Sequence, residues 1–175
     1  MECKCKDGAI VGRENLKKLY PLFEEDVAEN GIDLRVGVVE KIIQDGSRIG
    51  CVNDKKYKPN YEIVEPKLID GEEIYELEPQ TYYFITVDRV MDIPEGYCQL
   101  YYIRSTFARA GLQLISAVGD NGYSGTLMMG VYNTNPINKV SLGVNERLIQ
   151  AVTYTNDGSA SVYDGSYQND EFYKE

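Results

Sequence analysis

Apolar and polar residues alternate in short runs along most of the chain. The runs are bounded by Gly, Pro, Asn and Asp, the pattern of β-strands joined by tight turns. Two runs are clearest, Tyr82 to Val87 and Gly96 to Ile103, both rich in aromatic and β-branched residues, with Asp92-Ile93-Pro94-Glu95-Gly96 as the turn between them. Further strands are predicted at Asp33 to Val39, Leu112 to Val118, Thr126 to Tyr132, Lys139 to Leu142 and Leu148 to Thr155. One helix is predicted from Arg13 to Tyr20, where Leu16, Leu19 and Tyr20 make an apolar stripe and Pro21 discourages continuation. A second short helical turn is predicted from Thr106. The stretch from Gly46 to Asp70, with scattered Asp, Lys, Pro and Asn, reads as a surface insertion or long hairpin and receives no function. No internal repeat or low-complexity linker interrupts the pattern, so a mainly β sandwich or barrel is expected.

Composition narrows the chemistry. A chain of 175 residues, 43% hydrophobic and 26% charged, builds one domain with its own core, taken here as residues 1–175. A net charge of −10 argues against nucleic-acid binding through a broad basic surface. A polyanionic substrate would have to meet locally concentrated arginines or a divalent cation. The chain has no histidine, which removes a Ser-His-Asp system, a His-ligated zinc and histidine acid–base chemistry. Carboxylates, arginines, hydroxyls and metal remain.

The residues from Met1 to Gly12 lack the apolar run of a signal peptide, and no later stretch approaches about eighteen uninterrupted apolar residues. A cytoplasmic, soluble protein with no membrane partner is therefore expected. Cys3, Cys5, Cys51 and Cys98 are read as reduced thiols, because Cys3-x-Cys5 has no second pair or histidine at zinc-ligand spacing.

Four segments carry candidate chemistry. Asp120-Asn121-Gly122-Tyr123-Ser124-Gly125 is a hairpin tip whose first three residues tolerate positive φ, so a tight turn is expected whatever the protein does. Arg104-Ser105-Thr106-Phe107-Ala108-Arg109 follows directly on an apolar strand, placing a guanidinium and a hydroxyl at a strand end where charge-assisted bonds to phosphate are feasible. Arg109 stands four positions after Ser105, on the same face of a helical turn, and would otherwise be a surface ion-pair partner. In Glu146-Arg147-Leu148-Ile149-Gln150, the Gln150 amide among apolar neighbours needs hydrogen-bond partners. Arg147 is equally readable as a structural ion-pair partner. In Asn30-Gly31-Ile32-Asp33-Leu34, Asp33 alternates with apolar residues along a strand, either as an inward polar residue bonded to backbone or as part of a site.

In order and approximate spacing these four segments resemble the motifs of the dUTPase and dCTP deaminase superfamily. The resemblance runs from the N-terminal helix through Gln168 and leaves 46–70 unmatched. It implies a dUTPase-like jelly-roll barrel with one or two short helices, assembled as a homotrimer with sites at subunit junctions. It implies that the hairpin main chain reads a pyrimidine edge, that Asp120 positions the attacking water and that Gln150 helps hold it. It implies further that Tyr123 packs beneath the deoxyribose, that Arg104, Ser105, Thr106 and Arg109 serve the triphosphate, and that Asp33 supports Mg2+ indirectly through water. By the same resemblance Ser116, Ala117 and Val118 before the hairpin, and Tyr163, Tyr167 and Gln168 in the tail, join the substrate-binding set, with residues 156–175 closing over the site.

The branch turns on one position. Deaminases of the family need a glutamate on the strand after the hairpin to cycle protons at the cytosine ring. Alignment through Gly122-Tyr123-Ser124-Gly125 and Tyr132-Asn133 puts Gly130 there, and no other acid lies between Asp120 and Glu146. The resemblance therefore points to the deaminase-like dUTPases, with dUTP as substrate and Mg2+ as cofactor. The tail departs from the family at Ser166, where a lysine is common, and Gly143 is displaced from its usual place. A deaminase with a relocated acid and a nucleotide-binding regulator on the same fold stay open at this level.

Overall fold

The computed structural model describes residues 8–156 and 160–169, and the Cys3 and Cys5 pair lies outside them. Helix α1 (Arg13–Leu19) breaks at Tyr20 and is followed by a 3-10 turn (Pro21–Asp26), as the proline at the junction dictates. Twelve strands follow in order: β1 (Ile32–Ile42), β2 (Gly50–Val52), β3 (Lys55–Tyr57), β4 (Tyr61–Ile63), β5 (Lys67–Ile69), β6 (Glu72–Leu77), β7 (Tyr82–Asp92), β8 (Tyr97–Ile103), β9 (Leu112–Ile115), β10 (Ser124–Asn133), β11 (Val140–Gly143) and β12 (Arg147–Thr155). Helix α2 (Ser105–Arg109) sits between β8 and β9.

The main antiparallel sheet has the order β8-β12-β1-β7-β10-β9, with β4 added to the far end of β1. Its two edges nearly meet, because Gln99 of β8 exchanges both main-chain hydrogen bonds with Gly119 just beyond β9, at 2.9 and 2.8 Å. The sheet is thereby an almost closed barrel, and closure removes the exposed edges that would otherwise invite pairing. A smaller sheet, β11-β6-β5, sends Leu77 and Leu142 into the same core. Alternation along the strands decides the inward face: Tyr83, Ile85 and Val87 are buried, and on β12 Ile149, Ala151 and Thr153 are buried. Leu16, Tyr20 and Phe23 join this core from the N-terminal segment.

Two expectations are corrected. The strand drawn from Leu112 to Val118 ends at Ile115, and Ser116, Ala117 and Val118 leave the sheet as an exposed link. The capture of Gly119 by β8 ends the β9–β10 ladder early. The stretch from Gly46 to Asp70 is surface hairpin only in its first part, where β2 pairs β3; its remainder is built into the sheets, β4 on β1 and β5 on β6. Strand β6 itself was not foreseen. Three glutamates in Glu-Glu-Ile-Tyr-Glu-Leu obscure the alternation that buries Tyr75 and Leu77.

A buried carboxylate ties the N-terminal segment to the barrel. Asp26 is 2% exposed and is met by Arg35 of β1 at 2.7 Å, Arg147 of β12 at 2.9 Å and Arg89 of β7 at 3.1 Å. Arg147 is thus the structural ion-pair partner that the sequence allowed. Burial alone would raise the Asp26 pKa, but the hydrogen bond and charge of Arg35, with those of Arg147, hold the carboxyl below the ordinary range. A carboxylate depressed in the folded state stabilises fully above its unfolded pKa, and that stability is lost as pH falls through the lower folded value. Asp26→Asn is expected to cost about 3 kcal/mol at pH 7. Thermal melts between pH 3 and 7 should show the variant's loss shrinking as acid protonates the wild-type carboxylate.

Candidate active site

The register of β1, β12 and β8 assembles the first group of predicted residues. Asp33 of β1 stands opposite Gln150 of β12, and Gln150 stands opposite Tyr102 of β8. The Gln150 amide donates to Asp33 Oδ1 at 3.3 Å, and the Arg104 guanidinium lies 3.5 Å from Asp33 Oδ2. Asp33 is 5% exposed, so its charge is compensated by two side chains rather than by backbone. Arg104 also donates to the Arg147 carbonyl at 3.1 Å, which fixes the guanidinium at the strand end. Its main chain starts α2, accepting from Phe107 and Ala108 at 3.0 Å. That helix presents Ser105, Thr106 and Arg109 as exposed side chains, with Ser105 and Arg109 four residues apart on one face.

The second group is the hairpin. Tyr123 N–H donates to Asp120 C=O at 3.1 Å, and of the two central residues only Gly122 has positive φ, at 73°, the geometry of a type II turn. Asn121 is instead a buried anchor that the sequence reading missed. Its Oδ1 accepts from the Gly96 N–H at 2.8 Å and its amide donates to the carbonyls of Ala160 and Ser161 at 2.9 and 3.2 Å. Asp120 is exposed and makes no side-chain hydrogen bond or ion pair among the described residues, leaving its carboxylate free for a water. Tyr123 is 9% exposed, donates its hydroxyl to Thr126 C=O at 3.2 Å and meets the Tyr163 ring edge-on at 5.8 Å. The exposed link of Ser116, Ala117 and Val118 lines a shallow apolar depression with Leu100, Tyr101 and Tyr102.

Residues 160–169 of the tail lie on this hairpin. Tyr163 N–H donates to the Asn121 carbonyl at 2.8 Å, and Gln168 bonds the hairpin main chain at Gly122 and Ser124. Ser166 accepts from Lys56 of β3 at 2.6 Å, and the same ammonium lies 4.8 Å from the centre of the Tyr167 ring. Lys56 lies in the stretch to which no function had been given.

One chain does not bring the two groups together. The hairpin enters beside Gln99, which pairs Thr153, three residues from Gln150 along β12 and therefore about 10 Å away at 3.3 Å per residue. Gln99 and Thr153 face the core, whereas Gln150 and Tyr102 face the opposite side of the sheet. Arg104 is five residues from Gln99 along the chain, about 16 Å by the same rise.

The position after the hairpin has its own occupant. A Cβ added at Gly130 would strike the Tyr82 hydroxyl and come within 2.6 Å of Tyr82 Cζ and 3.2 Å of Ile115 Cβ. Tyr82 is held there by an edge-to-face contact with Phe84 at 5.1 Å, and Phe84 meets Tyr61 of β4 at the same distance. Burial raises the Tyr82 pKa, so its hydroxyl stays neutral at physiological pH.

No group of three or more acids and cysteines among the described residues is arranged to cage a metal ion. Asp33 is the carboxylate that meets the arginine and amide of the first group. Among the described residues no helix is long and apolar enough to cross a membrane.

A nearly closed antiparallel barrel bearing a strand-end arginine–serine segment and a polar hairpin is the architecture of the dUTPase and dCTP deaminase superfamily. A family model described as dCTP deaminase-like matches residues 9–155, and the chain belongs to that family. It is 43% identical over 159 residues to a probable deoxyuridine 5′-triphosphate nucleotidohydrolase of Methanothermobacter thermautotrophicus, covering 91% of this chain and 99% of the relative. It is 33% identical over 162 residues to the deoxyuridine 5′-triphosphate nucleotidohydrolase of Methanocaldococcus jannaschii, covering 91% and 98%. It is 30% identical over 168 residues to a dCTP deaminase of Pyrobaculum calidifontis, covering 91% of each. The crystal structure of 2′-deoxycytidine 5′-triphosphate deaminase from Agrobacterium tumefaciens shares the fold, with a TM-score of 0.61 and 13% identity over 86% of this chain and 47% of that one.

Removing the Asn121 side chain should loosen the tail without opening the barrel. Asn121→Ala is expected to cost about 1–3 kcal/mol and to speed proteolytic cleavage within 160–169. Unchanged cleavage kinetics would contradict the anchoring role.

Proposed function

We propose that the protein is a dUTP diphosphatase, converting dUTP to dUMP and pyrophosphate as a cytoplasmic homotrimer, and thereby limiting uracil in DNA. The observation that carries this reading is the Tyr82 ring in the space beside Gly130. A deaminase needs a cycling carboxylate at that position, and here a neutral phenol fills the volume a side chain would occupy. The chain carries the carboxylate, amide, arginine and serine side chains that hydrolysis would use. The names of the Methanothermobacter and Methanocaldococcus relatives agree with the same activity.

On this reading the hairpin main chain recognises the uracil edge and Tyr123 packs beneath the deoxyribose, leaving no room for a 2′-hydroxyl. For that, the Tyr163 ring must move from its present contact or turn with the sugar. Asp120 orients a water in line with the α-phosphorus and takes its proton. The new P–O bond forms as the bond to the bridging oxygen breaks, and the electron pair leaves with pyrophosphate. Gln150, already oriented by Asp33, fixes the same water. Arg104, Ser105, Thr106 and Arg109 hold the phosphates, whose developing charge they offset. Mg2+ chelated by the triphosphate would supply further neutralisation, with Asp33 supporting its water shell.

The separation of Asp120 from Gln150 within one chain supports a site shared between subunits. In a trimer the hairpin of one subunit would face the Asp33, Arg104 and Gln150 group of the next. The apolar depression at Tyr102, Ala117 and Val118 offers surface for that contact.

Asp120→Asn is expected to lower kcat at least about a hundredfold while leaving the Kd of a non-hydrolysable dUTP analogue within about threefold. Retained turnover would sink the mechanism. A second test concerns sharing: inactive Asp120→Asn and Gln150→Ala subunits, dissociated and reassembled together, should regain activity, because some junctions then carry both native residues. A site confined to one chain would give none.

A further inference from the structure

A chain of buried polar side chains crosses the barrel core, and the proposed chemistry does not use it. Gln99 of β8 and Thr153 of β12 are both 0% exposed, Tyr20 is 3% exposed and Tyr101 of β8 is 8% exposed. Gln99 Nε2 donates to Thr153 Oγ1 at 3.4 Å and lies 3.6 Å from Met91 Sδ, and Thr153 Oγ1 donates to the Tyr20 hydroxyl at 3.1 Å. On its other side Gln99 Oε1 accepts from the Tyr101 hydroxyl at 3.0 Å. Both ends of the carboxamide are thus partnered, as burial demands. Apolar side chains could fill the same volume in several orientations, whereas a connected set of hydrogen bonds specifies one.

That orientation is fixed where the hairpin begins. The Gln99 main chain holds both bonds to Gly119, the residue before Asp120. A Cβ added at Gly119 would meet the Tyr101 hydroxyl and come within 3.1 Å of Gln99 Cβ, so the hairpin base rests directly on two members of the chain. Burial first, and then the neighbouring Tyr20, Tyr123 and Asp120, raises the Tyr101 hydroxyl above its ordinary value. It therefore stays neutral and remains a donor to Gln99. We propose that Tyr101, Gln99 and Thr153 are positioning residues: their hydrogen-bonded chain sets the hairpin base at Gly119 and thereby the place at which Asp120 holds its water. The inference rests on the reading of Asp120 as the carboxylate that orients that water. Thr153 faces the core and reaches the hairpin only through Gln99, which makes it the remote test of the chain.

Tyr101→Phe and Thr153→Val each delete one link with little change of volume, and Thr153→Ser keeps the hydroxyl. For the full-length wild type and each variant, three quantities are measured: kcat for pyrophosphate release from dUTP, the Kd of the α,β-imido analogue of dUTP, and hydrogen exchange at the Gly119 amide relative to the β7–β10 ladder. The expected result is a kcat about tenfold lower in Tyr101→Phe and about threefold lower in Thr153→Val, with the Kd within about twofold of wild type. Gly119 should exchange faster in both variants while the β7–β10 amides keep their rates, and Thr153→Ser should stay close to wild type in every readout. In an Asp120→Asn background, Tyr101→Phe should change the residual kcat by less than about twofold, because the group through which it acts is gone. An equal loss in both backgrounds, or faster exchange throughout the barrel with kcat per folded subunit unchanged, would overturn the proposal. Unchanged Gly119 exchange in both variants beside normal wild-type turnover would overturn the positioning chain alone. No pyrophosphate from the wild type would overturn the reading of Asp120, and selective loosening of Gly119 would then still support the chain as what sets the hairpin base.

Discussion

The antiparallel register of β1, β12 and β8 is the constraint on which the rest of the site depends. It sets Asp33 against Gln150 and places Arg104 at the end of β8, so a buried carboxylate finds both an amide and a guanidinium without leaving the sheet. A one-residue slip would turn all of these to the other face and strand Asp33 in the core. The same register carries the Gln99–Gly119 exchange that closes the barrel and delivers the hairpin beside β8. Closure and site construction are thus one event. It also holds Asp120 and Gln150 apart within a chain, the separation on which the proposal of a shared site rests.

A second constraint is space. At Gly119 an added Cβ would meet the Tyr101 hydroxyl and lie 2.6 Å from Ile93 Cδ1, so the hairpin approaches β8 only because no side chain intervenes. At Gly130 the absent side chain is replaced by the Tyr82 ring, braced through Phe84 by Tyr61. Tyr61 of β4, from the stretch to which the sequence assigned no function, therefore supports the local change that sets the proposed chemistry. Lys56, from the same stretch, reaches the tail from the opposite direction.

Much of this was legible in the sequence, for physical reasons. Aromatic and β-branched alternation marked β7, β8, β10 and β12, and Pro21 marked the end of α1. The four motif segments were found where local chemistry is concentrated, at a strand end, a turn and two strand positions. What escaped depends on pairing between distant segments. Strand β6 is hidden by its glutamates, Ser116 to Val118 were drawn into β9 because nothing local announces the capture of Gly119, and Tyr82 gave no sign that it would occupy the volume beside Gly130. Asn121 was read as a turn residue. Its anchoring role needs the tail, 39 residues away, to return onto the hairpin.

The central claim, hydrolysis without deamination, is tested most directly by a product assay. Purified protein is incubated with Mg2+ and each of dUTP, dCTP, dTTP and UTP, and pyrophosphate and ammonia are followed together. The account predicts pyrophosphate from dUTP and ammonia from none of the four. Ammonia from dCTP would contradict it, because the position beside Tyr82 would then not decide the branch.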